Sequence, residues 1–277
     1  MARTLFCEIS PLTDQISVWK EMTKRFVSDR AKEFSGRLKL AEKRSTLLPA
    51  VIYEHQSLIR RKLGDADPVL QENKAVNLAI AAPKVDGILI RPGETFSFWH
   101  LVGSCTEKKG YREGLTIRQG VPQSGIGGGM CQFTNLIHWM VLHSPLTIVE
   151  HHHHDGVDLF PDFGRKVPFG TGTSILYSYR DYRFRNDTDQ AFQLCVRVTD
   201  RYLCGELRAE RKTDRSYHVQ AEGDYFVREA DGVYRCGEVW RETVDKKTGQ
   251  VISREKIKEN HAKVMYDPGL IEPERFR

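Results

Sequence analysis

The spacing of apolar positions predicts that the chain begins with helices. Between residues 14 and 63, apolar side chains recur every three or four positions among charged ones, which is typical of an amphipathic helix. Ser10-Pro11 is a suitable start, because proline is tolerated in the first turn of a helix. Residues 64–68 break the pattern, and a shorter helix over residues 69–82 is expected to end at Pro83.

After Pro83 the pattern changes to that of β-strands. Short runs of β-branched and aromatic residues are separated by turn residues, which predicts strands over residues 88–90, 95–99, 146–150, 174–185, 192–198 and 201–209. Nearer the C-terminus, Asp231-Gly232 and Lys247-Thr248-Gly249 each lie between two such runs. Both predict β-hairpins.

One helix is predicted among these strands, directly after a run of glycines. Regular elements do not tolerate Gly127-Gly128-Gly129 well, because glycine loses the most conformational freedom on folding. From residue 130 to residue 143 the apolar residues again have helical spacing, and Pro145 ends the helix. We therefore expect an α+β fold in which a mixed or antiparallel sheet packs on a helix that starts at a glycine-rich turn. An N-terminal helical extension and C-terminal β-hairpins complete it.

The excess of basic residues lies in the N-terminal part of the chain. We expect an N-terminal extension over residues 1–68, a core domain over 69–210 and a small β-rich region over 211–277. The net charge of +5 belongs to the first of these, since residues 1–62 hold 13 Lys and Arg against 7 Asp and Glu. Such a segment either binds nucleic acid or anionic lipid or forms a solvated helix face. No nucleic-acid recognition motif accompanies it, so we expect no nucleic-acid partner.

Cysteine usage and apolar runs bear on the compartment. The six cysteines include no Cys-x-x-Cys pair, which argues against a zinc knuckle or a redox pair. The first residues lack the apolar stretch of a secretory signal, and no stretch approaches the roughly 20 apolar residues of a membrane span. As written, the sequence predicts a cytoplasmic protein without a transmembrane segment, and no cofactor is expected.

Cys131 is the strongest candidate for a chemical role. It opens the predicted helix directly after the glycines, where backbone N–H groups lack partners and carry partial positive charge. A thiol at this position is expected to have a lowered pKa. Gly127, Gly128 and Gly129 would let a substrate carbonyl approach the backbone, and Gln132 would add a side-chain donor to an oxyanion hole.

A nucleophilic cysteine also needs a base, and a run of histidines provides candidates. His151 to His154 follow the strand that comes after the Cys131 helix. Alternation along an extended segment places His152 and His154 on one face, and it prevents more than two of the four from sharing a metal ion. We therefore expect no metal site here.

Two other interpretations of the glycine run stay open. It is either a structural turn beside a buried cysteine or a phosphate-binding loop before a helix. The second interpretation is weakened because the loop lacks the Lys-Ser/Thr of a P-loop and the spaced glycines of a dinucleotide fingerprint.

The combination of Pro-Gly-Glu-Thr-Phe-Ser-Phe at residues 92–98 with Gly-Gly-Gly-Met-Cys-Gln at residues 127–132 resembles the VanW family. The similarity extends from about residue 73 to residue 210. Related VanW domains are linked to L,D-transpeptidation of peptidoglycan by a catalytic cysteine, and the resemblance implies that this cysteine is Cys131. The family register matches its histidine best to His154, with His152 as the second choice.

The resemblance leads to two hypotheses about function. In the first, the protein is a cysteine acyl-transferase that acts on peptidoglycan stem peptides or their precursors, in cell-wall modification or glycopeptide resistance. In the second, it is a non-catalytic accessory module for cell-wall precursors or resistance enzymes. The family usually has an Asp-Ala-Thr-Val stretch where this chain has residues 172–175, so the histidine would need another acidic partner. The candidates are Asp155, Asp158 and Asp181.

Overall fold

The computed structural model describes residues 9–44, 46–60, 67–118, 121–154, 156–162 and 167–277, without the side chains of residues 11, 14, 118 and 121. Helices in these ranges are α1 (Pro11–Phe34), α2 (Pro68–Val85), α3 (Phe98–Val102) and α4 (Met130–Leu142). The strands are β1 (Glu42–Lys43), β2 (Ala50–Leu58), β3 (Ile88–Ile90), β4 (Thr95–Ser97), β5 (Glu113–Arg118), β6 (Val121–Ile126), β7 (Thr147–Glu150), β8 (Val157–Asp158), β9 (Arg183–Arg185), β10 (Phe192–Val198), β11 (Tyr202–Ala209), β12 (Arg215–Glu229), β13 (Gly232–Asp245) and β14 (Val251–Val264).

The main core lies between a five-stranded sheet and two helices. The sheet has the order β1-β3-β10-β11-β2, and every neighbouring pair is antiparallel. Both α2 and α4 pack against it and bury their apolar faces. Burial of this apolar surface is the main stabilising contribution to such a fold. The fully buried side chains include Leu78, Phe133, Ile137, Phe192, Leu194 and Leu207.

Three smaller sheets surround this core. Strands β4, β9 and β7 form one sheet, and the hairpin β5-β6 leads into the glycine turn. In the C-terminal region, β12, β13 and β14 form a long antiparallel meander, which β8 joins by parallel pairing with β14. The α+β class and both C-terminal hairpins are thus confirmed. We call β12 to β14 the C-terminal meander.

The prediction of helix throughout residues 14–63 is wrong. Helix α1 begins at Ser10-Pro11 as expected, with Ser10 as its N-cap, but it ends at Phe34. Residues 42–43 and 50–58 form strands instead, and β2 pairs with β11 along its length. The overriding factor is tertiary, since β2 supplies the last strand of the main sheet. A domain boundary at residue 68 would separate β2 from this partner.

Three other predicted boundaries are also wrong. Helix α2 continues past Pro83 to Val85, because a proline in the last turn removes only one helical hydrogen bond. The expected strand 95–99 gives way to α3 at Phe98, where the Ser97 hydroxyl caps the helix. In the predicted strand 174–185, residues 183–185 alone form a strand of a sheet. The preceding residues form a loop that packs beside α4.

Candidate active site

The glycine turn before α4 is a point where several elements pack together. Gly127 and Gly129 have positive φ angles of 81° and 109°, which favour glycine over other residues. A Cβ atom at Gly127 would clash with the side chain of Cys105, and one at Gly128 would clash with the backbone of Gly114. At Gly129 it would lie 2.5 Å from Cγ of Lys74. The missing side chains therefore make room for neighbouring protein atoms, which explains the glycines without a bound substrate.

Cys131 lies in the first turn of α4, as the sequence predicts. It is half-buried and lines a cavity of about 2320 Å³. The glycine turn lines the same cavity. Burial raises the pKa of the Cys131 thiol, and a hydrogen bond with the backbone of Ile175 opposes this only in part. The expected lowering of the pKa is therefore wrong, because loss of water outweighs the favourable helix position.

Gln132 is tied to the neighbouring sheet. Its Nε2 donates to Oγ of Ser57 at 2.9 Å and to the carbonyl oxygen of Leu58 at 2.8 Å. A carboxamide nitrogen carries two hydrogens, so both of its donors are used by β2. Gln132 fixes the start of α4 on β2. Its predicted role as an oxyanion donor would require these bonds to be exchanged.

A loop over residues 171–175 joins the start of α4 to the histidines. On one side, the backbone N–H and the hydroxyl of Thr173 donate to Oδ1 of Asn135 at 2.6 and 2.8 Å. On the other side, the Ser174 N–H donates to the carbonyl oxygen of His152 at 2.7 Å. This loop includes the stretch where the family usually has an aspartate. Here the hydroxyl of Thr173 and the backbone N–H groups of Thr173 and Ser174 connect α4 to the segment that carries the histidines.

The four histidines have different surroundings. His153 and His154 line the cavity that Cys131 also lines. The ring of His152 instead contacts Glu150, with 3.0 Å between Nε2 and Oε1. His151 stacks on the ring of His138 and contacts the ring of His153 edge to face, with centroids 4.1 and 4.0 Å away. Sharing of the cavity with Cys131 therefore distinguishes His154 from His152.

Burial keeps two of the clustered histidine rings, His138 and His151, uncharged. It lowers the pKa of His151 to about 3, and it holds the pKa of His138 well below its ordinary value. His138 is completely buried and its Nδ1 lies 3.1 Å from the Tyr182 hydroxyl. These two rings are therefore neutral at physiological pH, and they support the segment that carries His153 and His154.

Two of the proposed aspartates have well-defined partners other than a histidine. Both carboxylate oxygens of Asp181 are occupied by the start of α3, by the backbone of Tyr182 and by Arg183. Asp158 contacts Arg235 and the Tyr266 hydroxyl, and Asp155 lies outside the described residues. The carboxylate of Glu150 contacts the ring of His152. Burial alone would raise its pKa, but hydrogen bonds from Arg25, the Asp181 backbone and His152 hold it below the ordinary value.

Two residues of this site were missed in the sequence. Asn135 lines the cavity one helical turn after Cys131, and Thr173 bonds both to it and to the Cys131 carbonyl. The i,i+4 spacing of Cys131 and Asn135 places both on one face of α4 and could have indicated the first. No local signal indicates Thr173, because its position depends on how the loop packs.

The described ranges contain neither a cluster suited to a metal ion nor a membrane-spanning helix. No group of three or more His, Cys, Asp or Glu side chains there has an arrangement that could hold a metal ion. None of the helices in these ranges is both long enough and apolar enough to cross a membrane.

Comparison with known proteins identifies relatives of this chain. A family profile described as "VanW like protein" matches residues 73–208. The vancomycin B-type resistance protein VanW of Enterococcus faecalis is 35% identical over 219 residues, which cover 79% of each chain. The uncharacterized protein YoaR of Bacillus subtilis is 30% identical over 122 residues, 43% of this chain and 37% of that protein. No solved structure matches. Together, the profile and the length of the Enterococcus match show that this chain belongs to the VanW family.

Proposed function

We propose that this protein is a cysteine acyl-transferase that acts on peptidoglycan stem peptides or their precursors. The observation that carries the proposal is that Cys131, in the first turn of α4, opens on a cavity that His154 also lines. In this proposal Cys131 is the nucleophile, His154 is the base, and the cavity that both residues line provides the space for substrate. The peptide substrate comes from the family resemblance.

The reaction begins with a protonated thiol, because burial raises the pKa of Cys131. His154 accepts the thiol proton as the sulfur attacks the carbonyl carbon next to a diamino acid. The C–N bond of the following peptide linkage then breaks, and His154 returns the proton to the departing amine. An acceptor amine attacks the resulting thioester, its proton passes through His154 to sulfur, and the thiol is restored. First-turn N–H groups of α4 stabilise the oxyanion in both steps.

The cellular setting is proposed from a relative. The Enterococcus protein is named for vancomycin B-type resistance, and we extend that role to this chain. The cell-wall modification proposed for this role is a change in stem-peptide cross-linking.

Intact-protein mass spectrometry tests the chemistry. The protein is incubated with a peptidoglycan tetrapeptide or with a carbapenem, and Cys131→Ser is the matched control. We expect a covalent adduct on Cys131 that the control lacks. His154→Ala should slow adduct formation and alkylation of the thiol at neutral pH, whereas His100→Ala, at an exposed position that does not line the cavity, should leave the alkylation rate unchanged. A wild-type protein that forms no adduct with either reagent would contradict the proposal.

The second candidate is a non-catalytic binding module, and two observations favour it. Both donors of the Gln132 amide are already used by β2, and the glycine turn is filled by protein atoms. In this case the start of α4 binds a peptide carboxylate without forming a bond to it. Calorimetry with the tetrapeptide and Cys131→Ala separates the two functions. Binding by both proteins without any adduct supports the module.

A further inference from the structure

Helix α1 exposes its apolar side to solvent. Trp19 is 74% exposed and Phe34 is 98% exposed. Apolar residues at intervals of three, four and seven positions lie along one face of the helix, where Thr23 and Arg30 interrupt them. We call this set the α1 stripe: Leu12, Ile16, Trp19, Phe26, Val27 and Phe34, all of them exposed.

The opposite side of α1 is polar and faces the protein. Arg25 forms an ion pair with Glu150 and donates to the Tyr179 carbonyl oxygen at 2.9 Å. One turn further on, Asp29 accepts from Nη1 of Arg183 at 3.0 Å. The amphipathic pattern of α1 is therefore inverted relative to an ordinary surface helix, and these ion pairs hold the helix with its apolar side outward.

Exposed basic residues lie in the same segment as the α1 stripe. Over residues 9–39, the charged residues that the structure describes as exposed are basic: Lys20, Lys24, Arg30, Lys32, Arg37 and Lys39. The described acidic residues of this segment, Glu21, Asp29 and Glu33, are less exposed, although the side chain of Glu21 keeps 42% of its surface exposed and lies 3.8 Å from Lys24. Apolar surface bordered by lysine and arginine matches an anionic lipid surface.

We propose that α1 is an interfacial helix that docks this protein on an anionic membrane surface. The stripe would enter the boundary between headgroups and acyl chains, where tryptophan is favoured, and the basic side chains would contact lipid phosphates. A second copy of the chain is a poorer occupant. Two stripes packed together would bring Lys20, Lys24 and Arg30 of each copy close to one another. The acidic residues beside them, Glu21 and Glu33, already pair with Lys24 and Arg30 of the same helix.

Docking of α1 on a membrane would also bring the cavity close to the membrane surface. Ser17, Val18 and Glu21, on the inner side of α1, line the cavity that contains Cys131. Substrate at Cys131 would then be bound beside the membrane surface. The docking itself does not depend on the proposed acyl transfer, and its test requires no catalytic activity.

Vesicle flotation with the full chain tests the proposal. We expect the protein to float with phosphatidylglycerol vesicles, to bind phosphatidylcholine vesicles at least roughly tenfold more weakly, and to be released by salt. Trp19→Glu with Phe26→Glu should reduce partitioning at least roughly tenfold, as should Lys20→Glu with Lys24→Glu. Leu270→Glu, at an apolar position 56% exposed in the C-terminal region, is the matched control and should bind as wild type.

Circular dichroism and thermal unfolding establish that each variant is folded, which is expected because the substituted side chains are exposed. Sedimentation velocity without lipid addresses the second copy. Failure of the wild-type protein to float would overturn the proposal. It would also be overturned if the Trp19/Phe26 variant bound vesicles like the control, or if the α1 variants changed a monomer–dimer equilibrium and left flotation unaltered.

Discussion

Two ion-pair networks fasten opposite ends of the chain, and they differ in how far water is excluded. In the α1 network, the side chains of Arg25, Asp29 and Glu150 keep 19–20% of their surface exposed. In the C-terminal network, the central side chain of Arg235 is 2% exposed and that of Asp158 is 1% exposed, while its outer partners Asp162 and Asp224 are 26% and 31% exposed. The first network joins a helix to the core, and the second joins the C-terminal meander to the wall of the cavity.

The buried network is also the more completely bonded. Arg235 donates twice to Asp224 and twice to Asp162, at 2.7–2.9 Å. Its guanidinium lies 4.5 Å from the ring centre of Phe169 and 5.4 Å from that of Phe226. Removing a partner from an enclosed charge is strongly destabilising. Partly hydrated charges lose less stability, because water can take the place of the missing partner. The difference indicates that α1 can be removed and that the meander cannot.

Truncation should produce the largest effect. Deleting residues 1–62 removes β2, which pairs with β11 and completes the main sheet. We expect this fragment not to fold, contrary to the view of residues 1–68 as an extension. Deleting residues 1–36 removes α1 but leaves every described strand of the main sheet. It should leave the protein folded, because the ion pairs it removes are partly exposed and contribute about 1 kcal/mol or less each. Circular dichroism and urea unfolding distinguish the two, and a folded 63–277 fragment would show that β2 is dispensable.

Arg235→Ala should have the next largest effect. It leaves the buried carboxylate of Asp158 without the guanidinium charge, and breaking a buried pair in this way costs about 3–5 kcal/mol. Arg275→Ala is the control, because Arg275 contacts Asp162 and Asp224 but is 26% exposed. It should cost about 1 kcal/mol or less. Denaturant unfolding measures both, and equal costs would remove the distinction between the networks.

Lowering the pH should destabilise the protein by protonating its buried histidines in the unfolded state. Burial lowers the pKa of His151 to about 3 and that of His143 to about 4. Because both values lie below the unfolded value of about 6.5, the stability these neutral rings contribute is present above that pH and is lost as the pH falls. The slope is up to about 1.4 kcal/mol per pH unit for each histidine. Thermal unfolding between pH 7 and pH 5 should show a shallower loss for His151→Asn than for wild type.

Disruption of the α1 network should have the smallest effect. Asp29→Asn removes the charge that faces Arg183 and Arg25, and partly exposed pairs contribute about 1 kcal/mol or less. Thermal unfolding should change little, while limited proteolysis should cleave α1 faster than in wild type. A loss comparable with that of Arg235→Ala would show that α1 is as firmly attached as the meander.

The part of the site closest to Cys131 was predictable because its signals are local. Positive φ angles favour glycine, and the periodicity of Phe133, Leu136, Ile137 and Met140 indicates a helix. Both features are carried by consecutive residues. They place Cys131 in a first turn before any tertiary contact is considered. The C-terminal hairpins were predictable for the same reason.

What only the tertiary structure decided depends on distant partners. The residues that fill the space beside Gly127, Gly128 and Gly129 come from three other segments, and water exclusion by the assembled fold reverses the expected pKa shift of Cys131. Likewise, β2 is a strand because β11 pairs with it. Helix α1 points its apolar side outward because Glu150 and Arg183 hold its polar side. A sequence pattern shows which faces an element has, but burial of a face depends on the surfaces that the rest of the chain presents to it.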